Sequence, residues 1–217
     1  MFPLSNLKDV FANIRESIKA ADLSLQERDT IREKVIKTGR DIVRKSGHII
    51  TSLHSGRYDE AQIYLTEMQK TYELILSVTS NYPEIRHSGL FYNIVSEYVE
   101  AVLFYNLLTN GRLPAIKELK VEPVPYIQGL LDLVGELKRR ILDLLRADKF
   151  EDAVSLFKVT EAIYENVKTL DYPDPILPGV KRKTDVARSV VESLRTLLTD
   201  VESRRRLIKS LRKCERS

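Results

Sequence analysis

Proline occurs only at Pro3, Pro83, Pro114, Pro123, Pro125, Pro173, Pro175 and Pro178, which leaves residues 4–82, 84–113, 126–172 and 179–217 free of it. Proline removes a backbone donor and clashes with the preceding turn, so long helices run where it is absent. Within these windows apolar residues recur at i, i+3, i+4 and i+7, the spacing of a helix with one buried face. No window alternates apolar and polar residues between turn signals, so strands have no support.

The spacing predicts helices over 4–20 (Leu4, Leu7, Val10, Phe11, Ile14 and Ile18 on one stripe), 24–54, 58–80, 84–109, a short piece at 114–120, then 124–147, 150–169 and 178–212. Ser24 followed by Glu27 reads as a capping box opening the second helix. About seven helices with short connections make an all-α, antiparallel bundle, expected as one domain over residues 1–217. No repeat of solenoid period is present.

Composition narrows the class. At 43% hydrophobic and 30% charged, the chain has enough apolar residues for a core and is not a disordered polymer. Its single cysteine, Cys214, supports neither an internal disulfide nor a cysteine-based zinc site. The start of the sequence has no basic segment leading into an apolar run of signal length, and no stretch approaches 18 uncharged apolar residues. A soluble cytoplasmic protein without a membrane partner is the expectation. The net charge of +4 is uneven: Gly179–Ser217 holds twelve Lys/Arg against five Asp/Glu, a net +7, while the rest carries −3. A basic end suits a polyanion; it equally suits a solvated helix whose cations complement its C-terminal dipole.

Two acidic groups are not explained by core periodicity. Glu97 and Glu100 lie three apart and flank the dense apolar set Leu90, Phe91, Ile94, Val95, Tyr98, Val99, Val102 and Leu103. Asp132 and Glu136 lie four apart, with Gly129 and Gly135 on or near the same face, where another backbone or a ligand can come close. Like charges at these spacings weaken an isolated helix by a few tenths of a kcal/mol per pair. If the two helices pack side by side, four carboxylates face one another and suit a hard divalent cation such as Mg²⁺, which activates water and neutralises charge on a phosphodiester. Ordinary surface acids pairing with Lys138, Arg139 or Arg140 explain the same spacings, and the pattern leaves both readings open. Arg139 shares the face of Asp132 and Glu136, where a phosphate or a structural ion pair would suit it. Arg86-His87 precedes Glu97 and suits a phosphate or a turn.

Other chemistries are absent. The histidines, His48, His54 and His87, do not complete Glu-x-x-His motifs with these acids, which excludes a ferritin-like di-iron site, and they read as surface or packing residues. The zinc-protease, nucleophile-elbow, dinucleotide and P-loop patterns are missing. Tyr64, Tyr72 and Tyr98 fall on apolar stripes and read as core rather than as base-stacking residues.

Three segments resemble the translin family, and within it the translin-associated factor X branch. They are Glu97-Tyr98-Val99-Glu100-Ala101-Val102; Val124-Pro125-Tyr126-Ile127-Gln128-Gly129-Leu130-Leu131-Asp132-Leu133-Val134-Gly135-Glu136-Leu137-Lys138-Arg139; and, more weakly, the helix from Val180 to Val201 with Lys181, Lys183, Val186 and Val190-Val191-Glu192. The resemblance implies an all-α subunit of a hollow octameric barrel. It implies a Mg²⁺-dependent endoribonuclease (Mn²⁺ substituting) acting on single-stranded RNA or the exposed strand of a small RNA duplex. The family's catalytic acids match Glu97, Glu100, Asp132 and Glu136. Translin itself lacks the first pair, so this chain resembles the active subunit in a prokaryotic or archaeal-type form that assembles as a homo-octamer. Arg86 and Arg139 stand at positions that match the family's RNA contacts, and His87 beside Arg86 is a further RNA-binding candidate. Two other readings remain: a non-catalytic nucleic-acid-binding oligomer like translin proper, and an all-α nucleotide pyrophosphatase, which the Val124–Arg139 match disfavours.

Overall fold

The structure is a computed structural model that describes residues 7–214, without the side chain of Lys213. It is all-α, with helices α1 (Leu7–His54), α2 (Tyr58–Val78), α3 (Pro83–Arg86), α4 (Gly89–Asn110), α5 (Ile116–Leu119), α6 (Pro123–Arg146), α7 (Phe150–Val167) and α8 (Val180–Cys214). Among the described residues no helix is long and apolar enough to cross a membrane.

The expected helices 4–20 and 24–54 are one. α1 runs 48 residues, about 70 Å at 1.5 Å per residue. No proline or glycine interrupts it before Gly39. Ser24 therefore caps nothing: preceding carbonyls already accept the amides an N-cap would satisfy. Nearby side chains instead support the continuous helix, Gln26 donating to Asp22 at 2.9 Å and the Thr30 hydroxyl to the Gln26 carbonyl at 2.8 Å. The expected start of the fourth helix at 84 also moves. Pro83 opens the four-residue α3, Ser88 is extended, and its hydroxyl accepts from the Phe91 amide at 3.3 Å, so α4 begins at Gly89. Leu4, placed on the first stripe, lies outside the described residues.

Packing follows from which faces are apolar. α1 turns into α2 at Ser55–Arg57 and packs on α2 and α4; α6 packs on α4, α7 and α8. α1 buries Val35, Gly39, Ile42, Ser46, Ile49 and Leu53, a strict 4-3 seam. α4 is buried nearly all round, from Phe91 to Phe104, as a helix at the centre of a bundle must be. Tyr72 and Tyr98 stack in this core with ring centroids 4.1 Å apart, as the stripe reading expected. The basic α8 buries Ala187, Val191, Leu194 and Leu198. Along the first five turns of α1 the apolar side chains Leu7, Phe11, Ile14, Ile18 and Leu25 stay about half exposed or more. Support for α1 begins where Tyr82 donates to Glu27 (2.5 Å) and Arg28 pairs with Glu84 (3.3 Å).

Two glycines of α6 separate by function. A Cβ on Gly129 would lie 2.7 Å from Val99 Cγ1 and 2.8 Å from the Ser96 carbonyl oxygen, so this glycine lets α6 touch the backbone of α4. Gly135, expected to allow a similar approach, is exposed with nothing within 4 Å of such a Cβ; it faces open space. Gly129→Ala is therefore expected to cost about 1–3 kcal/mol through overpacking, lowering Tm by roughly 2–10 °C. Gly135→Ala should raise Tm by a few degrees through helix propensity alone. Thermal melts of both variants check the contrast.

Candidate functional site

The α4–α6 contact decides where the four acids go. Glu97 and Glu100 follow by about one and two turns after Ile94, the residue that seals α1 against α4 by lying where a Cβ on Gly39 would be. Asp132 and Glu136 follow Gly129 by one and two turns along α6. With Gly129 pressed on Ser96 and Val99, the two acidic pairs are brought to the same side of the interface. Their fields overlap: Glu100 is raised by burial first, then by Asp132, Glu97 and Glu136. It is only 8% exposed, and its carboxyl is pushed up to about 8 from an ordinary 4.5. Burial and Asp132 also raise Glu97, while the Lys183 ammonium and the Ser46 hydroxyl pull it down. Ser46 ties α1 to this turn by donating to the Glu97 carbonyl at 3.1 Å.

The α6 acids have partners that sequence spacing did not single out. Asp132 meets Lys183 of α8, Nζ to Oδ2 at 2.5 Å. Glu136 meets His54 at the end of α1, Nε2 to Oε2 at 2.6 Å. The His54 side chain is 3% exposed and lies against Phe104. Its Nδ1 lacks a hydrogen-bond partner, with Asp143 Oδ2 at 3.8 Å. Lys138, Arg139 and Arg140, the neighbours offered by the alternative reading as partners of these acids, form no ion pair with them among the described residues. Arg140 instead lies 3.5 Å from the Tyr58 hydroxyl. The Lys183 signal was its position three residues into a helix whose first turn has no acid; for His54 nothing local marks the long-range contact.

The basic candidates are not gathered at the acids. Arg86 ends α3 beside the Tyr72 phenol, whose ionisation it favours. His87 is exposed, with Nδ1 2.7 Å from the Pro83 carbonyl. Both lie beyond the N-terminus of α4, about two turns or more from Glu97. Arg139 is exposed on α6, in a groove with Leu142, Asp143, Arg146, Leu197 and Val201. In the basic end of α8, Arg204 and Arg206 pair with Asp200 and Glu202 one turn back, and Arg205 crosses to Asp148. Those contacts are what a solvated helix provides.

Among the described residues, no three or more His, Cys, Asp or Glu stand close enough together to hold a metal ion. Two of the four acids are engaged elsewhere, on Lys183 and His54. The chemistry of the set nonetheless suits a hard cation: every donor is a carboxylate oxygen, and the nearly buried Glu100 has no ion pair while three like charges bear on it. A raised carboxyl penalises the folded state when charged. Above about pH 8 the full penalty applies; it fades as the pH falls toward 4.5, where the unfolded chain also takes up the proton. Glu100→Gln should thus raise the Tm of metal-free protein at pH 9, on the order of 2 kcal/mol or roughly 4–8 °C. The two melts should converge near pH 4.5.

Three comparisons bear on this arrangement. The Translin family pattern matches residues 30–205. Among relatives, an uncharacterized protein of Methanocaldococcus jannaschii is 30% identical over 170 residues, 77% of this chain and 75% of its own. A translin-associated protein X homolog of Schizosaccharomyces pombe is 22% identical over 185 residues, 78% of this chain and 80% of its own. Among solved structures, AfC3PO in complex with duplex RNA superposes with a TM-score of 0.79 at 28% identity, covering 87% of this chain and 98% of that one.

Proposed function

Because the chain belongs to the translin family, we propose that it is a metal-dependent endoribonuclease that cuts single-stranded RNA or the exposed strand of a small RNA duplex. The observation that carries this reading is Glu100. A nearly buried carboxyl without an ion pair, pressed by three like charges from two helices, costs the fold stability and is relieved by a cation. AfC3PO, similar over most of both chains, forms a complex with duplex RNA; the same substrate class is proposed here.

In this reading Glu97, Glu100 and Asp132 hold Mg²⁺, or Mn²⁺ in its place. Bound there, the cation supplies charge neutralisation at the phosphodiester and an activated water. Glu136 is a further ligand or orients the attacking water, and His54, on its Oε2, fixes the carboxylate. Burial between α4 and α6 keeps Glu100 from bulk solvent, which strengthens its grip. Arg139 on α6, and Arg86 with His87 outside the cluster, contact the strand as it approaches. The proposed assembly is a homo-octamer, supported by the family and by the unpaired apolar seam at the start of α1.

The Lys183–Asp132 pair favours a second reading, a nucleic-acid-binding oligomer without catalysis, in which the lysine permanently satisfies the acid. A 5′-labelled RNA incubated with and without Mg²⁺ separates the two. Cleavage should require the metal and vanish in EDTA. Glu97→Ala combined with Glu100→Ala should lower it at least 1,000-fold while leaving RNA binding and the size-exclusion mass unchanged. Cleavage persisting in that double variant removes the acids from the mechanism, and salt-sensitive binding with no product leaves the second reading.

A further inference from the structure

Lys183 is not explained by the helix that carries it. It stands in the first turn of α8 beside Lys181 and Arg182, and that turn has no acidic residue. The N-terminus of a helix is its positive end, and cations there are unfavourable. What Lys183 gains lies across the bundle. Its Nζ reaches Asp132 Oδ2 at 2.5 Å, and the two side chains are 32% and 28% exposed. The pair is partly screened, and the lysine has a flexible four-carbon stem, so the contact can open without unpacking the core.

We propose that Lys183 is a built-in counter-cation: its ammonium holds Asp132 in the metal-free protein, competes with the divalent cation for that carboxylate, and is released when the cation binds. This rests on the metal reading above and adds to it a residue that sets metal affinity. Only one cation at a time fits against Asp132, because an ammonium and a dication repel strongly at such separations. In metal-free protein the ammonium offsets repulsion among Asp132, Glu97 and Glu100. In the metal-bound protein it is left free beside the site, with three donors and no partner.

The test uses two readouts that a merely structural lysine would not move in opposite directions. Lys183→Met should lower the Tm of the metal-free protein yet tighten Mn²⁺ binding, measured by calorimetry or electron paramagnetic resonance, by about 3- to 10-fold. Mn²⁺ affinity unchanged or weakened in a folded Lys183→Met overturns the proposal. In the unmodified protein, reductive methylation followed by peptide mass spectrometry should find the Lys183 amine protected without Mg²⁺ and several-fold more reactive with it. Protection that persists at saturating Mg²⁺ also overturns it, and this arm stands if the variant does not fold. Failure of the unmodified protein to bind Mn²⁺ at all removes the metal reading itself, which separates the two outcomes.

Discussion

Repulsion among carboxylates confined between α4 and α6 is the constraint on which the rest of the site depends. Such charges are tolerated only where geometry forces them together and something pays the cost. The force comes from packing: Gly129 admits the backbone of α4 at Ser96 and Val99, and Gly39 admits Ile94. Once α1, α4 and α6 are seated at those two glycines, Glu97, Glu100, Asp132 and Glu136 have no freedom to disperse. The surrounding helices supply the relief: α8 brings an ammonium to Asp132, and α1 brings an imidazole to Glu136. Among the described residues Glu97 and Glu100 have no such partner, feeling Lys183 only at a distance, and the carboxyl of Glu100 is pushed up to about 8.

The fold was largely legible in the sequence because helices report themselves through local signals. Prolines and the apolar spacing placed α2, α6, α7 and α8 within a few residues. The misreadings share a cause. Ser24–Glu27 has the form of a start signal, but a cap acts only where amides lack carbonyls, and the chain before Ser24 was already helical. The proline-free window after Pro83 placed the start of α4 at 84, yet Ser88, five residues past the proline, supplies the hydroxyl that opens it. Local patterns state what a residue can do; which of two adjacent starts is used depends on what packs behind it.

Of the candidate site, the sequence shows the acids but not their partners. Spacing within α4 and within α6 is a property of one helix, so each acidic pair could be read directly. Pairing across helices is not. Lys183 lies 51 residues from Asp132, and His54 lies 82 from Glu136. Neither separation leaves a periodic trace. Arg139, seven residues from Asp132, shares a helical face with it in projection, and its long side chain lines a solvent groove with Leu197 and Val201.

The continuity of α1 has a mechanical consequence. The helix that presents an uncovered seam at Phe11 and Ile18 is the same rod that bonds the Glu97 carbonyl through Ser46 and carries His54 to Glu136. A hydrogen-bonded helix stretches little along its axis, whereas a jointed pair would absorb displacement at the joint. Whatever load is applied at the amino-terminal overhang is therefore delivered as translation, some tens of ångströms away, to two of the side chains that set the posture of the acids.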